Sequence, residues 1–67
     1  PANDYFTVNA NLSKVEIYSI TGQMVKSFNN EFSQDTRFDI SDLSRGVYMV
    51  KVINAYQQEK TMKLMKQ

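Results

Sequence analysis

The sequence predicts an all-β fold, a small antiparallel β-sandwich of six to seven short strands, and three observations carry that prediction. Apolar residues recur at every second position in several segments, the period of a strand with one face inward. Polar or glycine-containing breaks separate these segments about every ten residues, as in sheets built from strands and turns. The longest β-branched and aromatic run, Val47 to Ile53, starts directly after the polar stretch Asp39-Ile40-Ser41-Asp42-Leu43-Ser44-Arg45-Gly46.

Taken in order, Pro1-Ala2-Asn3-Asp4 is a turn-rich opening, with proline fixing φ and Asn and Asp offering side-chain bonds to nearby amides. Tyr5 to Val8 is a short first strand, and Asn9-Ala10-Asn11-Leu12-Ser13 breaks it. Lys14 to Ile20 alternates Val15 and Ile17 against Glu16, Tyr18 and Ile20. Thr21-Gly22 then turns the chain into Gln23 to Phe28, so the pair reads as a β-hairpin. Asn29-Asn30-Glu31 is a second break, Phe32 a lone anchor and Ser33-Gln34-Asp35 a third break. Thr36 to Ile40 is a short strand with Phe38 and Ile40 on one face.

Arg45-Gly46 marks a sharp reversal, because glycine reaches positive φ without a Cβ clash. In the following strand Tyr48, Val50 and Val52 share one face, and Val47, Met49, Lys51 and Ile53 the other. Both faces are largely apolar, which places the strand centrally in a sheet. After the reversal Asn54-Ala55-Tyr56-Gln57-Gln58, the segment Glu59 to Gln67 fits two periods. A hairpin strand is preferred to a basic helix because the connection is short and lysines suit an edge strand. The expected core is Phe6, Val8, Val15, Ile17, Val25, Phe28, Phe38, Ile40, Leu43, Tyr48, Val50, Val52, Met62 and Leu64. Such a sandwich is immunoglobulin-like in strand number, without the tryptophan and cysteine pair of antibody domains.

Composition narrows the function. Sixty-seven residues allow one domain, and one so small buries only about 60% of its unfolded surface. There is no cysteine and no histidine, which removes the disulfide staple, the thiolate nucleophile and the commonest general base. Eight basic and seven acidic residues give a net charge of +1, too balanced for a broad nucleic-acid-binding field. No apolar run approaches the roughly 20 residues of a membrane-crossing helix. The chain opens on Pro1 and not on methionine, so residues 1–67 are expected to be one domain cut from a longer precursor.

Two short patterns have structural readings that outweigh functional ones. Asn11-Leu12-Ser13 matches a glycosylation acceptor, but such triplets arise by chance in polar loops. Asp39 and Asp42 supply too few oxygens for a calcium loop and suit a turn that bonds its own backbone. No catalytic, cofactor-binding or metal-binding residue is assigned.

Three pieces taken together point further. They are Val15-Glu16-Ile17-Tyr18-Ser19-Ile20-Thr21-Gly22-Gln23-Met24-Val25, then Asp39 to Val52 with Leu43 and Gly46-Val47-Tyr48, then the lysine-bearing Lys60 to Gln67. In this order they resemble the type A C-terminal sorting domain of the type IX (Por) secretion system of Bacteroidota. The resemblance implies a sorting signal that directs a larger, covalently attached N-terminal cargo across the outer membrane, with no catalysis of its own. It implies partners in the type IX translocon, an outer-membrane shuttle protein and a surface sorting peptidase of the cysteine type. That peptidase usually removes the domain, and the cargo is anchored to lipopolysaccharide or released. The implied route runs through the periplasm to the cell surface or outside.

On this reading Lys60, Lys63 and Lys66 offer charge to an acidic receptor surface, and Leu64 and Met65 offer apolar contact. Gly22, Leu43, Gly46 and Tyr48 maintain the fold. Exposed edges also permit dimers by strand pairing. The alternative is an extracellular adhesive or carbohydrate-binding module with Tyr5, Tyr18 and Tyr56 as stacking surfaces, and a structural spacer is the third reading.

Overall fold

The computed structural model describes residues 4–67, so Pro1-Ala2-Asn3 of the expected opening turn lie outside the described residues. Six strands are present among them: β1 (Tyr5–Thr7), β2 (Leu12–Ser19), β3 (Met24–Phe32), β4 (Arg37–Asp39), β5 (Gly46–Ile53) and β6 (Glu59–Lys66). They form a two-stranded sheet, β1-β4, and a four-stranded sheet in the order β3-β2-β5-β6. Every pairing is antiparallel. The β-sandwich, both hairpins and the strand conformation of the final segment are therefore as expected, and β5 lies between β2 and β6.

Strand alternation explains the core. Val15 and Ile17 of β2 and Tyr48, Val50 and Val52 of β5 turn inward, where they are buried together with Leu12, Phe38 and Ile40. Phe38 joins the two sheets: its ring lies 5.2 Å from Phe6 of its own sheet, and 5.3 and 5.0 Å from Phe28 and Phe32 of β3. Offset and edge-on contacts at these separations add to the gain from area buried. Val8, Leu43, Met62 and Leu64 pack at the margin of this cluster.

Three expectations need correction. Leu12 and Ser13 belong to β2 and are not a break, with Leu12 only 5% exposed. Asn29-Asn30-Glu31 is likewise inside β3, which runs on to Phe32. Between the pairs Leu12↔Phe32 and Lys14↔Asn29, the two residues Asn30 and Glu31 oppose the single Ser13. One extra residue of that kind is a β-bulge, and it lets a polar triplet pass without ending the strand. Val25, expected in the core, is 41% exposed. It lies between Lys26, paired with Ile17, and Met24, paired with Tyr18, and so opposes no residue of β2. Phe28 and Lys26 take the inward positions on β3, and Val25 turns to solvent.

The two hairpins share one turn geometry. Gly22 N–H donates to the Ser19 carbonyl at 2.9 Å and Ser19 N–H to Gln23 at 2.8 Å; Gln57 N–H donates to Asn54 at 3.1 Å and Asn54 N–H to Gln58 at 3.1 Å. The residue two positions before the return strand has positive φ in both, Gly22 at 92° and Gln57 at 65°. This is a type I turn followed by a left-handed residue, and glycine fits it without strain. Asn54 compensates at the second turn, its Oδ1 accepting from the N–H groups of Tyr56 and Gln58.

Candidate recognition edge

The corner between the sheets positions β5. Ile40 N–H donates to Asp4, and Leu43 N–H returns to Ile40 at 3.0 Å. Asp39 Oδ1 accepts the Ser41 N–H at 2.9 Å, and this bond holds the Asp39 carboxyl below its ordinary range. Lys26 Nζ reaches both carboxylate oxygens of Asp42 at 2.9 Å, which depresses Asp42 as well. The two carboxylates thus serve different partners. Asn11 is engaged too, its Oδ1 accepting the Gln34 N–H at 2.9 Å.

Gly46 then starts β5 at a φ of 153°, a backbone region open almost only to glycine. Tyr48 turns inward and its hydroxyl donates to the Ser44 carbonyl at 2.6 Å. A tyrosine near the start of a strand, bonded to the backbone just upstream, is a known corner device of β-sandwiches. Leu43, Gly46 and Tyr48 therefore meet at one corner, and Gly22 lies apart in the β2–β3 turn.

Register with β5 divides β6 between two faces. Lys60, Met62, Leu64 and Lys66 oppose Val52, Val50, Tyr48 and Gly46, so their side chains take the inward phase. Met62 and Leu64 are half-buried against the core margin. Thr61, Lys63 and Met65 take the outward phase beside Lys51, Met49 and Val47. The recognition residues expected from sequence thus lie on one strand but not on one face: Lys60, Leu64 and Lys66 on one side, Lys63 and Met65 on the other.

One edge of β6 is paired along its whole length and the other is open. The closing bond from Asn54 N–H to Gln58 sets the alternation of hydrogen-bonded pairs. Val52–Lys60, Val50–Met62, Tyr48–Leu64 and Gly46–Lys66 bond to each other in that phase, and Glu59, Thr61, Lys63 and Met65 direct their amides outward.

Charges are distributed unevenly around this edge. Lys14 pairs with Glu16 at 3.5 Å, Lys26 with Asp42, and Lys51 with Glu59 at 3.4 Å. Arg37 lies over the Tyr5 ring, 4.7 Å from its centroid. The other four cations are Arg45, Lys60, Lys63 and Lys66; among the described residues no Asp or Glu carboxylate pairs with them, and Lys66 Nζ donates to the Gln67 main-chain oxygen at 3.3 Å. Three of these are on β6, and Arg45 directly precedes Gly46, the partner of Lys66. In the sequence Arg45 has only a place in the reversal before β5, because the β5–β6 register is what brings it to the end of β6.

The profile of a family described as "Secretion system C-terminal sorting domain" matches residues 1–67, the whole chain. The chain belongs to that family. It is a C-terminal sorting signal for type IX secretion, which implies an attached cargo, contact with the type IX machinery, and export to the cell surface or outside. No curated protein and no solved structure matches. No helix of the sorting domain, among its described residues, is long and apolar enough to cross a membrane.

The tyrosines of the alternative reading do not share a platform. Tyr5 stands on the small sheet under Arg37. Tyr18 lies on the outward face of the large sheet, where its hydroxyl donates to Glu16 at 3.1 Å, and burial there together with this bond raises its pKa. Tyr56 is 83% exposed in the β5–β6 turn.

Proposed function

We propose that β6 is the strand by which the sorting domain is recognised in the periplasm, and that the outer-membrane shuttle protein or the translocon reads it there. The observation that carries this reading is the open edge of β6, eight residues long and in unbroken register with β5. Unpaired strand edges are templates for further pairing, and other edges in the molecule are poorer ones. β1 and β4 have three residues each, and β3 is interrupted at Asn30-Glu31 and at Val25.

Residues 1–67 act as the terminal domain of a longer precursor. After passage a surface sorting peptidase removes the domain, and the cargo is anchored to lipopolysaccharide or released. Gly22, Leu43, Gly46 and Tyr48 act on recognition only through the fold, and any catalysis belongs to the cargo.

The test is a fluorescent cargo with a periplasmic export signal, fused through the native linker to this domain in a Bacteroidota host. The cargo is expected at the surface or in the medium, at a mass lacking the domain, and retained when the translocon is deleted. Retention of full-mass fusion in the periplasm of the wild-type host would overturn the proposal. Glycan binding by the retained protein would favour an adhesive module in its place.

A further inference from the structure

We infer that β6 accepts an added strand that carries an acidic residue at every third position with mainly apolar residues between, a more specific partner than an acidic surface. This rests on the reading of β6 as the recognition strand. Glu59, Thr61, Lys63 and Met65 present outward amides, so an extended segment laid beside β6 completes a ladder that is open on that side. The side chains beside that segment specify its pattern. On the inward face Lys60 and Lys66 flank Met62 and Leu64, which calls for acidic, apolar, apolar, acidic at alternate positions. On the outward face Lys63 stands between Thr61 and Met65, which calls for one central acidic residue.

Space exists for the apolar half of this pattern. The small sheet packs through Phe38 onto β3, at the far edge of the large sheet from β6. A cleft of about 560 Å³ remains beside the β1–β2 connection, floored by Val8, Leu12, Val52 and Met62, with Lys60 at its rim. An apolar side chain entering beside Met62 extends the core there.

The lysines also select against a second copy. Two β6 strands paired antiparallel about Lys63 would set Lys63 against Lys63 and Lys60 against Lys66, and like charges directly opposite are destabilising. An acidic strand reverses the sign of each contact; Lys60 and Lys63 have no internal ion pair to break first, and Lys66 gives up only its bond to the Gln67 main-chain oxygen.

The probe is a synthetic peptide, Glu-Thr-Val-Glu-Val-Ile-Glu, which keeps the pattern in either strand direction, with an all-glutamate peptide of equal length as the charge-only control. Binding to the 67-residue chain is followed by amide exchange. The patterned peptide is expected to bind at least about tenfold more tightly than the control and to slow exchange at Thr61, Lys63 and Met65, with affinity falling as salt rises. Thr61→Pro keeps every charge and removes one outward N–H, which an edge strand tolerates, and it should abolish the protection at Lys63.

Equal binding of the two peptides without new protection, no binding, or the same protection arising from self-association would each overturn the inference. Cargo delivery by a domain that ignores the peptide would overturn this partner chemistry and leave the sorting role standing. Failure of delivery alone would count against the sorting role.

Discussion

The Tyr48 hydroxyl donates a 2.6 Å hydrogen bond to the carbonyl of Ser44, four residues upstream. The bond crosses the corner at which the chain leaves the small sheet and enters β5, so the strand that pairs with β6 is anchored at its first turn into the core. Tyr48 is also buried beside Val50, and one side chain supplies both packing and the corner bond.

Tyr48→Phe isolates the bond from the packing. Its loss is expected to cost about 1 kcal/mol, which in a domain of this size lowers Tm by about 4–8 °C. Urea and thermal melts check this, and an unchanged midpoint would show that the bond adds nothing net.

Glycine at 46 is required by backbone conformation and not by space, because a Cβ built there meets nothing within 4 Å. Gly46→Val should therefore cost about 1–3 kcal/mol through strain alone. Gln57 offers the converse case, a non-glycine residue at a φ of 65° in the same turn geometry as Gly22. Gln57→Gly is expected to stabilise by roughly 0.5 kcal/mol, the relief of left-handed strain less the added chain entropy. Denaturant midpoints of both variants, measured with Gly22→Ala as a third, check the opposed signs.

The bulges in β3 make an opposed pair of core predictions. Leu12→Ala removes a buried side chain and should cost about 2–5 kcal/mol, enough to unfold much of so small a domain. Val25→Ala removes one that faces solvent and should change stability by less than about 0.5 kcal/mol. The reverse order in chemical denaturation would return Val25 to the core.

The corner also sets the acid response. Asp39 and Asp42 are held below their ordinary value of 3.8 by the Ser41 N–H and by Lys26 respectively. A carboxyl depressed on folding contributes stability that is full above its unfolded pKa and is lost as pH falls through the folded one. Melting temperature should thus be flat near neutrality and fall below about pH 4. Asp42→Asn should reduce that dependence, and an unchanged acid limb would remove the assignment.

What was legible in the sequence follows from how local each cause is. Gly46 and the β5 alternation can be read from adjacent residues, because a backbone conformation reserved for glycine and a period of two are local properties. Gly22 marks its hairpin just as locally, by the left-handed residue that the turn requires. Leu12 escapes because it stands among polar neighbours and owes its burial to tertiary packing. Read from sequence, β3 ends at Phe28, because a bulge on an edge strand has no residue signature distinct from a loop. The recognition edge shows the same division. The lysines of β6 are visible in the sequence, but their separation onto two faces, and the arrival of Arg45 beside them, are products of register.

The most direct measurement of the central claim is delivery of the cargo fusion carrying Lys60→Glu, Lys63→Glu and Lys66→Glu together, beside an Ile40→Val fusion that weakens the core away from β6 and its cleft. Circular dichroism of the isolated domains establishes that the triple variant remains folded. The folded triple variant is expected to lose surface delivery, with delivery in the Ile40→Val fusion falling only in proportion to its unfolded fraction. Wild-type delivery by the folded triple variant would contradict the claim that the lysines of β6 are what the secretion machinery reads.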